Sequence, residues 1–323
     1  MPMSHLIPLG DIQAAGERIG SSLHRTPLLH SRLIGERAGV ELFLKCENLQ
    51  KTGSFKPRGA LHKVLSLDAS QRQAGAITVS AGNHAQAVAW AAGVVGVPAC
   101  VVMPTDAPRS KLDAVRGYGA SIVLHDDRAT LFDRLHEEQE KQGSTFVHPF
   151  DDPVLLAGTA SVGLEIVADL PDVDVVYVPV GGGGLMAGVT SAIKQKRPQV
   201  RIVAVELAEG PGLQPALDAG RPLPVPRPAR TLADGMTPPF VGEIPLRIAE
   251  EAVDEVVAVT EEQIHDAMRW LLTRAKLMVE ASGAAATAGL LYHGTTLSPG
   301  ARVVTVVSGG NIDLQALPTL LQR

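Results

Sequence analysis

Short runs of branched aliphatic residues recur along the chain with helical patterns between them, and that alternation restricts the chain to one broad class of fold. The runs are 41–46 (ELFLKC), 75–80 (GAITVS), 99–103 (ACVVM), 121–124 (SIVL), 173–180 (VDVVYVPV), 201–206 (RIVAVE), 255–259 (EVVAV) and 302–307 (RVVTVV). Most are near-continuous rather than alternating, as parallel strands buried on both faces require. The helical stretches are 57–68, 83–95, 109–118, 128–142, 153–170, 184–195, 260–276 and 281–293, and Thr260 with Gln263 forms a capping box at one start. A βα alternation of this kind gives an α/β fold with right-handed crossovers. Aromatic residues make up only 3% of the chain, so small aliphatics must do the packing, as in sheets covered by helices. The length of 323 residues predicts about two domains. Segment 210–230, rich in Pro and Gly, reads as an irregular surface excursion in preference to a lid.

A net charge of −5 implies neither a nucleic-acid surface nor an anionic-membrane surface. Cys46 and Cys100 sit in apolar strand-like runs and read as buried thiols in a reducing compartment. The opening MPMSHLIPLGD has no basic segment followed by a long apolar stretch, and no window approaches the roughly 18 apolar residues of a membrane span. A cytoplasmic protein without a membrane partner is expected.

The strongest local signal is VPVGGGGLMAG, residues 178–188. A buried strand ends, Gly181, Gly182, Gly183 and Gly184 follow, and a helix begins. Backbone N–H groups can turn inward there, and the helix dipole adds positive potential, so the turn is a phosphate cradle. Gly182-x-Gly184-x-x-Ala187 also fits a dinucleotide fingerprint, with Glu206 where a ribose-binding acid would sit. A nicotinamide-dependent oxidoreductase is therefore the rival reading, although the fingerprint lies past mid-chain and any run of four glycines contains it. The P-loop, HExxH and G-x-S-x-G patterns are absent.

In TGSFKPRGAL, residues 52–61, Lys56 stands just before Pro57 at a helix start. Its flank is small, polar and aromatic, like the lip of a pocket. SAGNHAQA, residues 80–87, brings Ser80, Asn83 and His84 to a helix N-terminus able to hold a carboxylate or ring oxygen. In VVSGGNID, residues 306–313, Ser308 follows a buried strand and can aim its hydroxyl into the crevice at the strand ends. Pyridoxal phosphate needs the four services these stretches offer: an amine, a phosphate site, a partner for the ring oxygen and a partner for the pyridine nitrogen.

TGSFKPRGA, SAGNHAQA, PVGGGGLMAG, TLADG (231–235) and VSGGNIDL resemble, in order and spacing, the threonine/serine dehydratase and serine racemase family of fold-type II pyridoxal-phosphate enzymes, over roughly residues 10–318. The resemblance implies a tryptophan synthase β-like fold of two open, twisted, mostly parallel sheets covered by helices. It implies a large domain of 1–74 and 150–323, with a small mobile domain of 75–149. Lys56 matches the Schiff-base lysine and Phe55 the residue beside the cofactor ring. Asn83 matches the asparagine at the ring hydroxyl. Gly181, Gly182, Gly183, Gly184 and the Leu185 backbone match the phosphate loop. Ser308 matches the serine facing the pyridine nitrogen, and Glu280 a glutamate near the cofactor. Ser80, Ala81, Gly82 and His84, with Asn83, match the loop that holds the substrate carboxylate, and Ser80 joins Lys56 as a candidate catalytic residue.

Three departures from the family pattern bear on the function. Racemases carry a serine as the acid/base where this chain has Ala81, as dehydratases commonly do. The chain ends soon after the SGGN motif, so neither a C-terminal regulatory domain nor inhibition by isoleucine is expected. Some members bind a divalent cation with an acid at the position of Glu206 and an aspartate six residues on, where this chain has Gly212, so no metal is expected. The resemblance thus implies a homo-oligomeric ammonia-lyase acting on a small β-hydroxy amino acid, L-threonine or L-serine, with a serine racemase or 3-hydroxyaspartate dehydratase as alternatives. Neither 125–135 (HDDRATLFDRL) nor the tail of ADGMTPPF yields a specificity residue.

Overall fold

The computed structural model describes residues 4–313 apart from 227, 229 and 230. Ten strands among the described residues form two sheets: β1 (Leu28–His30), β2 (Glu41–Cys46), β3 (Ala76–Val79), β4 (Ala99–Pro104), β5 (Ser121–His125), β6 (Thr145–Phe146), β7 (Val175–Pro179), β8 (Arg201–Leu207), β9 (Glu255–Val259) and β10 (Arg302–Val307). The larger sheet runs β1-β2-β10-β7-β8-β9 and the smaller β5-β4-β3-β6. Every pairing is parallel except β1 with β2, where Leu28 faces Lys45. The architecture is the expected one, two mostly parallel sheets with helices.

The near-continuous apolar runs have a direct structural cause. Along β10, Val303 and Val307 enter one hydrophobic cluster, and Val304 and Val306 enter another on the opposite face. A two-sided strand buries every side chain, at about 1.5–3 kcal/mol for each fully buried valine-sized group. The helix Ala281–His293 follows the same logic: Ala281 through Leu290 are all buried, and Thr287 Oγ1 meets Thr305 Oγ1 of β10 at 3.1 Å. Cys46 and Cys100 are free and buried, and burial pushes the Cys46 thiol up to about 12. The Thr260–Gln263 capping box is formed.

Several boundaries differ from those expected. The stretch 153–170 is two helices, Pro153–Thr159 and Ser161–Asp169, joined at Ala160. The stretch 260–276 ends its α-helix at Trp270 and widens into a π-turn, Leu271–Ala275, before Lys276 turns left-handed at φ 61°. Segment 210–230 is not a plain surface excursion. It contains the helix Leu213–Ala219, which buries Leu213 and Ala216, and Pro224 and Val225 beyond it reach the central cavity.

Candidate active site

The two sheets flank a cavity of about 680 Å³. Its wall includes Phe55, Lys56, Ser80, Ala81, Gly82, Asn83, His84, the four glycines 181–184, Leu185, Glu280 and Ser308. All the cofactor and substrate residues expected from the sequence therefore converge on one site. Glu206 does not line it. The Glu206 carboxylate accepts the backbone N–H groups of Gly212 and Leu213 at 2.9 and 2.7 Å, closing the N-terminus of the helix Leu213–Ala219.

Lys56 opens the helix Lys56–Leu65 with Pro57 behind it in the first turn. That turn is fastened from beneath by a buried ion network. Arg58 Nε meets Glu47 Oε2 at 2.7 Å, and Arg58 Nη1 meets Glu165 Oε1 at 2.8 Å. Lys45 Nζ meets Glu165 Oε2 at 2.6 Å. The preceding residue is stitched to the end of β10, because Phe55 N–H donates to the Ser308 carbonyl at 3.1 Å. Lys56 Nζ donates to the Pro149 carbonyl at 2.7 Å. Burial pulls the Lys56 amine down to about 8. An amine so placed has ready access to its neutral, nucleophilic form.

The glycine run meets β7 at one end and the helix Gly184–Lys196 at the other. Gly183 has φ +89°, a left-handed turn in which a side chain would be strained. Gly182 lies flat against Phe150, so a Cβ there would run into the ring. Gly181 to Gly184 thus line the cavity at the helix N-terminus with no side chain on the run, as an anion cradle requires.

Two histidines near Lys56 are neutral. His84 Nε2 pairs with the Val147 carbonyl at 3.0 Å, and its buried Nδ1 has no hydrogen-bond partner among the described residues. Burial, then the charge on Lys56, pulls its imidazole down to about 3. His148 Nδ1 accepts the N–H groups of Phe150 and Asp151, and burial holds it down at about 4. Glu280 shows the opposite shift. Burial, and then Asp234, push its carboxyl up to about 7, while Asn83 Nδ2 donates to its Oε1 at 2.6 Å. Ser308 is buried and its Oγ donates to the Ser282 carbonyl at 3.3 Å.

Several wall residues gave no signal in the sequence. Pro149 and Phe150 lie in a segment that reads as a loop, and only tertiary packing brings them to Lys56 and Gly182. Lys111 Nζ meets Asp234 Oδ2 at 2.6 Å, and both side chains line the cavity. Arg128, paired with Asp106 at 2.6 Å, lines it with Leu131 and Phe132. Met236, Thr237, Pro238 and Pro239 also line it. The last two groups are the segments that yielded no specificity residue.

An anion cradle, a buried amine of lowered pKa and an amide–carboxylate pair in one cavity define a pyridoxal-phosphate site, and residues 20–309 match the family described as pyridoxal-phosphate dependent enzyme. The chain belongs to that family, in its threonine/serine dehydratase and serine racemase branch. It is 44% identical to the L-threonine ammonia-lyase of Thermotoga maritima over 98% of this chain and 79% of that protein. Among solved structures it is similar to the threonine deaminase of T.th., with TM-score 0.89 and 43% identity over 95% of this chain and 99% of that one. It is also similar to maize serine racemase, with TM-score 0.91 and 35% identity over 97% and 96% of the two chains.

Proposed function

We propose that this protein is a pyridoxal-phosphate-dependent ammonia-lyase that converts a β-hydroxy amino acid, L-threonine or L-serine, to the 2-oxo acid and ammonia. The observation that carries the reading is the buried Lys56 amine, pulled down to about 8, sharing one cavity with the tetraglycine cradle. Bound pyridoxal phosphate would supply an electron sink that acidifies the Cα–H of an amino acid. Gly181 to Gly184 and the Leu185 N–H would hold its phosphate. Asn83 would meet its ring oxygen, Ser308 its pyridine nitrogen, and Lys56 would anchor it. Ser80, Ala81 and Gly82, before the helix Asn83–Val95, would orient the substrate carboxylate at the free N–H groups of that helix end. Lys56, freed by the substrate amine, would take the Cα proton. The water lost with the β-hydroxyl is returned in hydrolysis, so the net change is substrate to 2-oxo acid plus ammonia.

The charges of the wall favour a substrate with a neutral side chain. Apart from Lys56, the cavity cations among the described residues are Lys111 and Arg128, and each is engaged by an aspartate. A 3-hydroxyaspartate side chain would have to displace one of them. Ala81 carries no proton donor, which favours elimination over racemisation.

The segment 75–149 is proposed as a small mobile domain. The smaller sheet lies within it, and the Lys111–Asp234 pair links it to the remainder. No helix among the described residues is long and apolar enough to cross a membrane. We further propose a cytoplasmic homo-oligomer, dimer or tetramer, which sedimentation and fractionation test. The function is tested by a 2-oxo-acid assay over a panel of β-hydroxy amino acids. L-Threonine or L-serine should turn over fastest. Turnover confined to 3-hydroxyaspartate, or to none of the panel, would overturn the reading.

A further inference from the structure

A chain of hydrogen bonds runs behind the cavity through a residue to which neither the cradle nor the amine gives a role. Asn311 Nδ2 donates to the Thr52 carbonyl at 2.7 Å and to Asn83 Oδ1 at 2.8 Å. Asn83 Nδ2 then donates to Glu280 Oε1 at 2.6 Å. The orientation of both amides follows from the ends of this chain. The Thr52 carbonyl can only accept, so Asn311 must turn its NH₂ group that way, and Asn83 must answer it with oxygen. At the other end an ionised Glu280 can only accept, so Asn83 must meet it with nitrogen. Thr52 itself stands at φ 57°, an uncommon conformation for a threonine. Residues held in such conformations cluster at functional sites, and here the strained turn supplies the carbonyl that engages Asn311.

We infer that Asn311 is a positioning residue, which fixes the Asn83 amide so that its remaining Nδ2 hydrogen, and not its oxygen, faces the cavity. The inference rests on the reading of this cavity as the pyridoxal-phosphate site. A donor at that place favours a cofactor whose ring oxygen is deprotonated, and an acceptor there favours the protonated form. The two forms differ in colour, with absorption near ~410 nm and ~330 nm respectively. Replacing Asn311 by aspartate changes little in shape but removes the NH₂ group. An ionised Asp at 311 can only accept, so Asn83 must turn its nitrogen toward it and its oxygen toward Glu280. Glu280 already lies close to protonation, because burial pushes its carboxyl up to about 7, and it can take up the proton that the reversed amide requires.

The test is the absorption spectrum of the holoenzyme at neutral pH, with bound cofactor quantified after alkaline release and fold checked by circular dichroism. Wild type should show the long-wavelength band. Asn311→Asp should lose it several-fold in favour of the short-wavelength band at equal cofactor content. Asn311→Ala, in which Glu280 alone still holds Asn83, should show a mixture of the two. Full cofactor content with the wild-type band ratio in both variants would overturn the proposal. So would an Asn311→Asp protein that is misfolded or free of cofactor, if Asn311→Ala keeps the wild-type ratio, since the role would then be structural only. A wild-type protein that takes up no pyridoxal phosphate is a different failure. It removes the cofactor reading itself and is seen before any variant is made.

Discussion

Lys56 and His84 are held by alternate carbonyls of a single segment: Lys56 Nζ by Pro149 at 2.7 Å and His84 Nε2 by Val147 at 3.0 Å. The segment follows β6 in the smaller sheet, whereas Lys56 sits at the end of the larger one. The cavity amine is therefore placed by both sheets at once, and its environment is apolar enough to lower its pKa.

Replacing Lys56 separates its chemistry from its burden on the fold. Lys56→Ala should lower ammonia-lyase turnover by at least ~10²–10⁴-fold, the usual contribution of a positioned acid/base group. In cofactor-free protein the amine titrates near 8 instead of 10.5. The unfolded chain then binds more protons between those values, so stability should rise with pH across that window. Lys56→Met should abolish the slope, as measured by denaturant unfolding at pH values from 7 to 10.5.

Gly182→Ala tests the cradle. The added methyl meets the Phe150 ring, and forcing a methyl into a packed contact destabilises by about 1–3 kcal/mol. The melting temperature and the affinity for pyridoxal phosphate should both fall. A variant with wild-type values for both would show that the loop can shift away from Phe150.

Much of this arrangement could be read in the sequence because its strongest elements are locally encoded. Strands buried on both faces, such as β7 and β10, announce themselves as near-continuous valine-rich runs. The edge strand β1, three residues long and mostly exposed, and the two-residue β6 carry no such signal. The amphipathic helix Glu243–Ala252 was missed for a different reason: Pro245, in its first turn, interrupts the pattern in EIPLRIAEEA. Lys56 and the glycine run were legible because Pro57 and the strand-to-helix turn fix their geometry nearby. Pro149, Lys111, Asp234 and Asn311 were not, since each acts through a partner at least 93 residues away.

Ion pairs in two settings should behave differently. Arg58 and Glu47 are almost fully buried, so Glu47→Ala strips the buried Arg58 of one of its two carboxylates, Glu165 remaining, and should cost up to about 3–5 kcal/mol. The Lys111–Asp234 pair is partly exposed, and Lys111→Ala should change stability by only ~0–1 kcal/mol. If 75–149 is a domain that closes over substrate, Lys111→Ala should instead raise KM. Chemical denaturation and steady-state kinetics on the two variants check both halves of the contrast.

Ala81 bears on reaction choice. Inversion at Cα needs a proton donor on the face opposite Lys56, and a methyl group cannot supply one. With L-serine, pyruvate should form well ahead of D-serine, and Ala81→Ser should raise the racemised share. Chiral chromatography and a pyruvate assay on the same sample decide it. D-Serine accumulating as fast as pyruvate in the wild type would show that another residue donates the proton.

Lys56 is proposed to carry the cofactor of an ammonia-lyase. Borohydride reduction of the purified holoenzyme, followed by peptide mass spectrometry, tests it most directly. The protein should be yellow, with one pyridoxal-phosphate adduct on the peptide containing Lys56 and loss of 2-oxo-acid formation from L-threonine in proportion to labelling. An adduct on another lysine, or full activity after Lys56 is labelled, would contradict it.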